Sequence, residues 1–247
     1  VTWHHDGTLI SWDLETTGVD VETDRIVTAS RWIIRPAEGF KRHCGWLVNP
    51  GIPIPEGASE IHGITTEHAS ERGQDARSAV REIAGDLVSW ASEATAPVFV
   101  AFNAAYDLTL LHRECVRHGH DGLADQLARL RPFVDPLVLD KNADPFRKGS
   151  RKLTAIAAHY GAELTDEDAH GSAADSLAAA RVAYRIAVKY PALARRMPDE
   201  LHDMQRQWRA EQSASLQRYL RRKDPTTVVD PHWPIKPVPA VIQEEIR

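Results

Sequence analysis

The 247-residue chain is 43% hydrophobic and 26% charged, with a formal net charge of -5, which describes an ordinary globular protein of one large domain or one domain plus an appendage. The acidic balance argues against a protein that coats nucleic acid, and no apolar run approaches the ~18 residues of a membrane helix. Cys44 and Cys115 form neither a CxxC pair nor a disulfide framework, and the opening VTWHHDGTLISW lacks the basic and apolar regions of a signal peptide, so a reducing cytoplasm is the expected location.

In chain order, GTLISWDL is an apolar run ending in carboxylates. DRIVTASRWIIRP is rich in Ile, Val, Thr and Trp, and HCGWLVNP is a third strand-like piece, with PAEGFKRH as the turn between the last two. Together they predict an antiparallel meander. NPGIPIPEGASEIHGIT is dense in Pro and Gly and is expected to be neither regular helix nor sheet. Between Gln74 and Ser92, the residues Ala76, Val80, Ile83, Leu87 and Trp90 recur at helical spacing. APVFVAF reads as a short buried strand. NAAYDLTLLHRECVRHG reads as a helix with Asn103 as N-cap and Gly119 as its stop. PFVDPLVLDK predicts another strand end, followed by a loop carrying FRKGSRK. KLTAIAAHYG is a short helix, and HGSAADSLAAARVAYRIAVKY a long one closed by Pro191. Strands first, then strands alternating with helices, predict a mixed α/β sheet.

After Pro191 the composition shifts. MPDELHDMQRQWRAEQSASLQRYLRRK predicts one polar helix packed along a single stripe, and DPTTVVDPHWPIKPVPAVIQEEIR a Pro-rich extended end on the surface or without order. The expected division is a domain over 1–190 and a C-terminal helical extension and tail over 191–247.

The stretch LISWDLETTGVD carries the first chemical signal. Asp13, Glu15 and Gly18 fall on positions 1, 3 and 6 of an EF-hand loop, but strand composition precedes them and Asp24 stands at position 12 in place of Glu. The alternative is a strand that turns Asp13 and Glu15 to one face. Two further acids sit where a strand or loop hands over to a helix: Asp107 in FNAAYDLTLL and Asp175 in HGSAADSLAA, five residues after His170. Four carboxylates gathered in one cleft would repel strongly, and divalent cations relieve that repulsion. All-oxygen ligands favour Mg²⁺ or Mn²⁺ over zinc.

The order Asp-x-Glu, Asp, His-x4-Asp in SWDLETTG, VAFNAAYDLTLL and HGSAADSLAAARV resembles the DEDDh exonucleases of the DnaQ-like superfamily, over about residues 7 to 190. The loop VNPGIPIPEGASEIHGIT is similar to that of the proofreading-type branch. The resemblance implies a ribonuclease-H-like fold, with a central five-stranded mixed sheet flanked by helices. It implies hydrolysis of the terminal phosphodiester at the 3' end of single-stranded nucleic acid, DNA favoured over RNA trimming, releasing nucleoside monophosphates. Two divalent cations are implied as cofactors, with Asp13 bridging both, Glu15 and Asp175 on one side and Asp107 on the other. His170 is implied as the general base.

Substrate contacts are expected at several further positions. Thr16, Thr17 and Gly18 form a turn that brings backbone N–H groups to the terminal sugar. His62 resembles a pocket histidine, and Phe102 and Asn103 are placed to pack on the terminal base; Phe102 stands where many relatives have His. Arg147, Lys148, Arg151 and Lys152 could contact phosphates. A different class of function, a polymerase-docking accessory subunit acting through its C-terminal tail, is the competing expectation. No membrane partner is expected.

Overall fold

In the structure, a computed structural model, residues 2–92, 96–162 and 171–239 are described. The strands β1 (Leu9–Thr16), β2 (Ile26–Arg35) and β3 (Phe40–Asn49) form the expected antiparallel meander, in registers such as Asp13 opposite Ser30 and Ser30 opposite Gly45. The turn between β2 and β3 is tighter than PAEGFKRH: one 3-10 turn over Pro36–Glu38, then Gly39 at φ 62°. The chain continues through α1 (Glu56–His62), α2 (Thr66–Arg72), the two-residue β4 (Gln74–Asp75), α3 (Ala76–Ser89) and β5 (Val98–Val100). Next come α4 (Ala104–Arg117), α5 (Asp121–Ala128), β6 (Phe133–Val134), α6 (Pro136–Ala143), α7 (Leu153–Tyr160), α8 (Ser172–Lys189), α9 (Pro191–Ala194) and α10 (Pro198–Leu220). The sheet order is β4-β3-β2-β1-β5-β6, with β5 and β6 parallel to β1. The sheet is thus mixed and six-stranded rather than five-stranded, because Gln74 and Asp75 extend the β3 edge beside Val48 and Asn49.

Strand alternation divides β1 between two cores. Ile10, Trp12 and Leu14 pack with Ile83 and Leu87 of α3 and Leu108 and Leu111 of α4. Leu9 packs on the other face with Ile156 of α7 and Val182 and Ile186 of α8. Asp13 and Glu15 share Leu9's parity, so the same alternation points them toward α8. An Ala-rich face, including Ala179, Ala180 and Ala183, lets α8 lie close to the sheet, and Ser11 Oγ donates to Ser176 O at 2.5 Å across the seam. Buried Cys115 behaves as a small apolar residue, its thiol pushed up to about 12 by burial.

Three expectations about elements change. The Pro/Gly-rich segment contains α1, because Pro50, Pro53 and Pro55 all precede its first turn, where no intrahelical donor is needed. After Val134, the Asp135-Pro136 pair opens α6: Asp135 accepts from Leu137 N at 2.9 Å, and Pro136 occupies the first helical turn. The described part of the C-terminal segment, up to residue 239, is extended but packs onto the core. Trp233 is 5% exposed, and Lys236 N donates to Thr109 Oγ1 of α4 at 3.0 Å.

The polar helix α10 covers the outer edge of β6. His202 Nδ1 accepts from Phe133 N at 3.0 Å, Gln205 Oε1 from Asp135 N at 2.7 Å, and Gln205 Nε2 donates to Phe133 O at 2.9 Å. Two side chains thereby do what a further strand would do. Burial, with nearby Arg131, lowers His202 to about 4, so its ring stays neutral and able to accept. Among the described residues no helix is long and apolar enough to cross a membrane.

Candidate active site: a cleft of carboxylates

The C-terminal half of β1 supplies Asp13 and Glu15, and the first turn of α8 supplies Asp175. One carboxylate oxygen from each lies within 4.8 Å of the others. The start of α8 is fastened to β2: Ser172 Oγ donates to Ser30 Oγ at 2.9 Å, and Trp32 Nε1 donates to Ala173 O at 2.8 Å. Gly171 precedes the helix at φ 102°, a conformation that favours glycine.

Asp107 does not join that three-oxygen group. It sits in the first turn of α4, 4% exposed, close enough to Asp13 for its charge to raise the proton affinity of Asp13. The start of α4 is held by a residue that the sequence reading passed over. Asp135 accepts from Asn103 N and Ala104 N, each at 3.0 Å, and also from Trp233 Nε1 at 3.2 Å. Asn103 occupies the N-cap position at φ 59°, yet its side chain makes no capping hydrogen bond; Asp135 caps from across the fold.

Burial governs the electrostatics. It pushes Asp13 well above the usual carboxylate range, with Asp107, Glu15 and Asp175 adding to the effect. Glu15 rises to about 7, through burial and then Asp175. Asp175 is raised by burial, and Asp107 is raised by burial despite accepting from the backbone of Leu14. Acids whose proton affinity is raised in this way are ones that a bound cation would favour in their ionised form. The donor set, carboxylate oxygens from Asp13, Glu15 and Asp175, fits a hard divalent cation such as Mg²⁺ or Mn²⁺.

The turn after Glu15 is built from below. Asp24 Oδ1 accepts from Thr17 Oγ1 at 2.7 Å and Oδ2 from Asp20 N at 2.8 Å, and a Cβ on Gly18 would sit 2.5 Å from Oδ2. Thr17 is accordingly buried and turned inward. Thr16 Oγ1 lies 2.7 Å from the Tyr106 hydroxyl, which donates to Gly18 O at 2.5 Å. Burial pushes Tyr106 up to about 12, so it remains a donor. Tyr106 escaped the sequence reading, although it adjoins Asp107.

His62 ends α1 and lines a cavity of about 410 Å³ with Glu15, Ser30 and Gly171. Its Nδ1 accepts from Ile64 N at 3.1 Å, while its buried Nε2 has no partner. Burial lowers its proton affinity, partly offset by the Thr16 backbone nearby. Phe102 is half-buried against the core between the sheet and α8. His170 lies outside the described residues. Of the basic group, Arg147 and Arg151 are committed to the buried Asp140 at 3.1 and 2.5 Å, with Tyr160 donating to the same carboxylate at 3.0 Å. Both are thereby tied to the fold through Asp140.

Residues 10–183 match the RNase_T family, described as exonuclease. A DNA polymerase III subunit epsilon-like protein of Rhodobacter capsulatus is 29% identical over 184 residues, 72% of this chain and 23% of the relative. DNA polymerase III subunit epsilon of Rickettsia prowazekii is 25% identical over 173 residues, 69% of each chain. A PolC-type DNA polymerase III of Ureaplasma parvum is 23% identical over 181 residues, 72% of this chain and 11% of the relative. The chain thus spans under a quarter of the length of the Rhodobacter and Ureaplasma relatives. Among solved structures, E. coli Exonuclease I in complex with a dT13 oligonucleotide superposes with TM-score 0.63 at 18% identity, over 76% of this chain and 42% of that one. Exonuclease X in complex with 5' overhanging duplex DNA gives TM-score 0.51 at 17% identity, over 80% and 99%. At these identities the structural likeness shows a common fold.

Proposed function

Because the chain belongs to the RNase_T exonuclease family, within the DnaQ-like superfamily, we propose that it is a metal-dependent 3'-5' exonuclease acting on single-stranded nucleic acid. One observation carries the reading: Asp13 and Glu15 of β1 and Asp175 of α8, distant in sequence, bring carboxylate oxygens within 4.8 Å of one another, and Asp107 of α4 lies within electrostatic reach of Asp13. DNA is the favoured polymer, since relatives by name are DNA polymerase III subunits and structural neighbours hold DNA.

In this reading Asp13, Glu15, Asp107 and Asp175 hold two divalent cations, Mg²⁺ or Mn²⁺. When bound, such ions lower the pKa of water and stabilise charge on the phosphate and the leaving oxygen. Hydrolysis forms a bond from a water oxygen to phosphorus and breaks the bond from phosphorus to O3'. His170 is the base that takes the water's proton, since an imidazole titrates near 6.5 when unperturbed. In the sequence it precedes Asp175 by five residues. The Thr16–Thr17–Gly18 turn presents backbone to the terminal nucleotide, and His62, in the cavity beside Glu15, contacts it. Phe102 and Asn103 flank the terminal base. Residues 1–190 carry the chemistry, and 191–247 brace it.

Asp13→Asn and Asp175→Asn are expected to abolish hydrolysis of a labelled oligonucleotide in Mg²⁺. His170→Ala should lose most activity, at least ~100-fold, while still binding Mn²⁺. Equal rates for wild type and His170→Ala near pH 7 would remove the base assignment; full activity in Asp13→Asn would remove the whole reading.

A further inference from the structure

The connection after α6 and one side of α10 enclose a second cleft of about 670 Å³. Lys141 of α6, Arg151 and Arg209 of α10 line it, against one acid, Glu211, which is exposed and accepts from Gln207 Nε2 at 2.9 Å. Arg151 is neutralised by Asp140. Among the described residues, neither Lys141 nor Arg209 has an acid within ion-pair distance. The Nε of Arg209 and the Oε1 of Gln212, both buried, have no hydrogen-bond partner. Burial and the nearby Arg209 and Arg151 charges lower the proton affinity of the Lys141 ammonium, a strain that a bound anion would relieve.

Aromatic surface adjoins these cations. Tyr219 lines the cleft at 57% exposure, with the Arg222 guanidinium 5.9 Å from its ring centre. Phe146, next to the lining residue Pro145, is 92% exposed. Unneutralised cations beside open rings suit a single strand, whose phosphates meet the charges and whose bases stack on the rings. Asp135 links the cleft to the acids: it is the N-cap of α6, it caps the helix bearing Asp107, and it lies within electrostatic reach of both Lys141 and Arg209. That continuity favours the substrate strand over a separate acidic protein.

We propose that the α6–α10 cleft holds a segment of single-stranded nucleic acid upstream of the 3' terminus, with Lys141 and Arg209 on its phosphates and Tyr219 and Phe146 under its bases. The proposal rests on the exonuclease reading above. Its test is equilibrium binding of fluorescent oligothymidylate, about a dozen nucleotides long, to the full chain in EDTA over a salt series. The Lys141→Gln/Arg209→Gln double variant should bind about tenfold more weakly and lose about 1.4 from the salt slope, ~0.7 for each phosphate contact. Tyr219→Ala and Phe146→Ala, changes of exposed side chains, should each weaken binding about tenfold with the slope unchanged. Unaltered affinity and slope in a double variant that melts like wild type overturn the proposal. So does intact strand binding together with lost binding of a polyglutamate peptide, which would assign the cleft to a protein. Failure of the exonuclease reading shows separately, as strand binding in EDTA with no hydrolysis when Mg²⁺ is added.

Discussion

Glu15 illustrates what single side chains contribute here. Its carboxyl has an ordinary value of 4.5 when exposed and about 7 in the folded chain. The folded state therefore binds more protons than the unfolded state across that window, and stability falls as pH rises through it. Buried histidines such as His202, lowered to about 4, act in the opposite sense, so the comparison must isolate Glu15. In EDTA, Glu15→Gln should match wild type in Tm below about pH 4.5 and exceed it by a growing margin up to about pH 7. Mg²⁺ should close that gap by stabilising only the wild type. A constant difference across the range would mean that Glu15 is not held in a proton-retaining cleft. The pairing of Asp13 with Glu15 was legible because side chains two apart on a strand share a face. Tyr106 and Asp24 were not legible, because a tyrosine beside an acid and an acid in a turn are ordinary, and only the fold shows them gripping the turn at Gly18.

At the scale of elements, Asp135 links three of them. It follows β6, opens α6 and caps α4 across the fold, while Trp233 of the tail donates to it. Asp135→Asn keeps the shape but offers one acceptor oxygen in place of two. Urea denaturation should show a loss of about 3 kcal/mol, and kcat should fall as Asp107 loses its footing. A loss under ~0.5 kcal/mol would show that the four donors find water instead. The meander, β5, α3, α4, α7 and α8 were legible from period and composition. The short helix α1 was hidden by prolines that lie before its first turn, and α6 by an Asp-Pro pair that reads equally as a turn and as a helix start.

The whole molecule shows why the C-terminal region was the hardest part to read. Hydropathy rates α10 as a solvated helix, but His202 and Gln205 are buried polar partners of the β6 edge, and Leu201 is fully buried. Arg113 of α4 extends the tie, donating to Pro237 O at 2.8 Å and, from its Nε, to Glu22 Oε2 at 2.8 Å in the loop between β1 and β2. The tail thus braces the same strand junction that carries the acids. Ending the chain after Tyr190 should leave the outer edge of β6 unpaired and the core open, giving a protein without a cooperative melt; a folded, active truncation would make the region an appendage. The central claim is that the converging acids make a metal-dependent 3'-5' exonuclease. The most direct measurement follows single-stranded oligonucleotides labelled at the 3' or the 5' end, in Mg²⁺ and in EDTA. The account predicts immediate release of the 3' label as a mononucleotide in Mg²⁺ and none in EDTA, with the 5' label shortening stepwise. Degradation in EDTA, or 5' label released first as a mononucleotide, would contradict it.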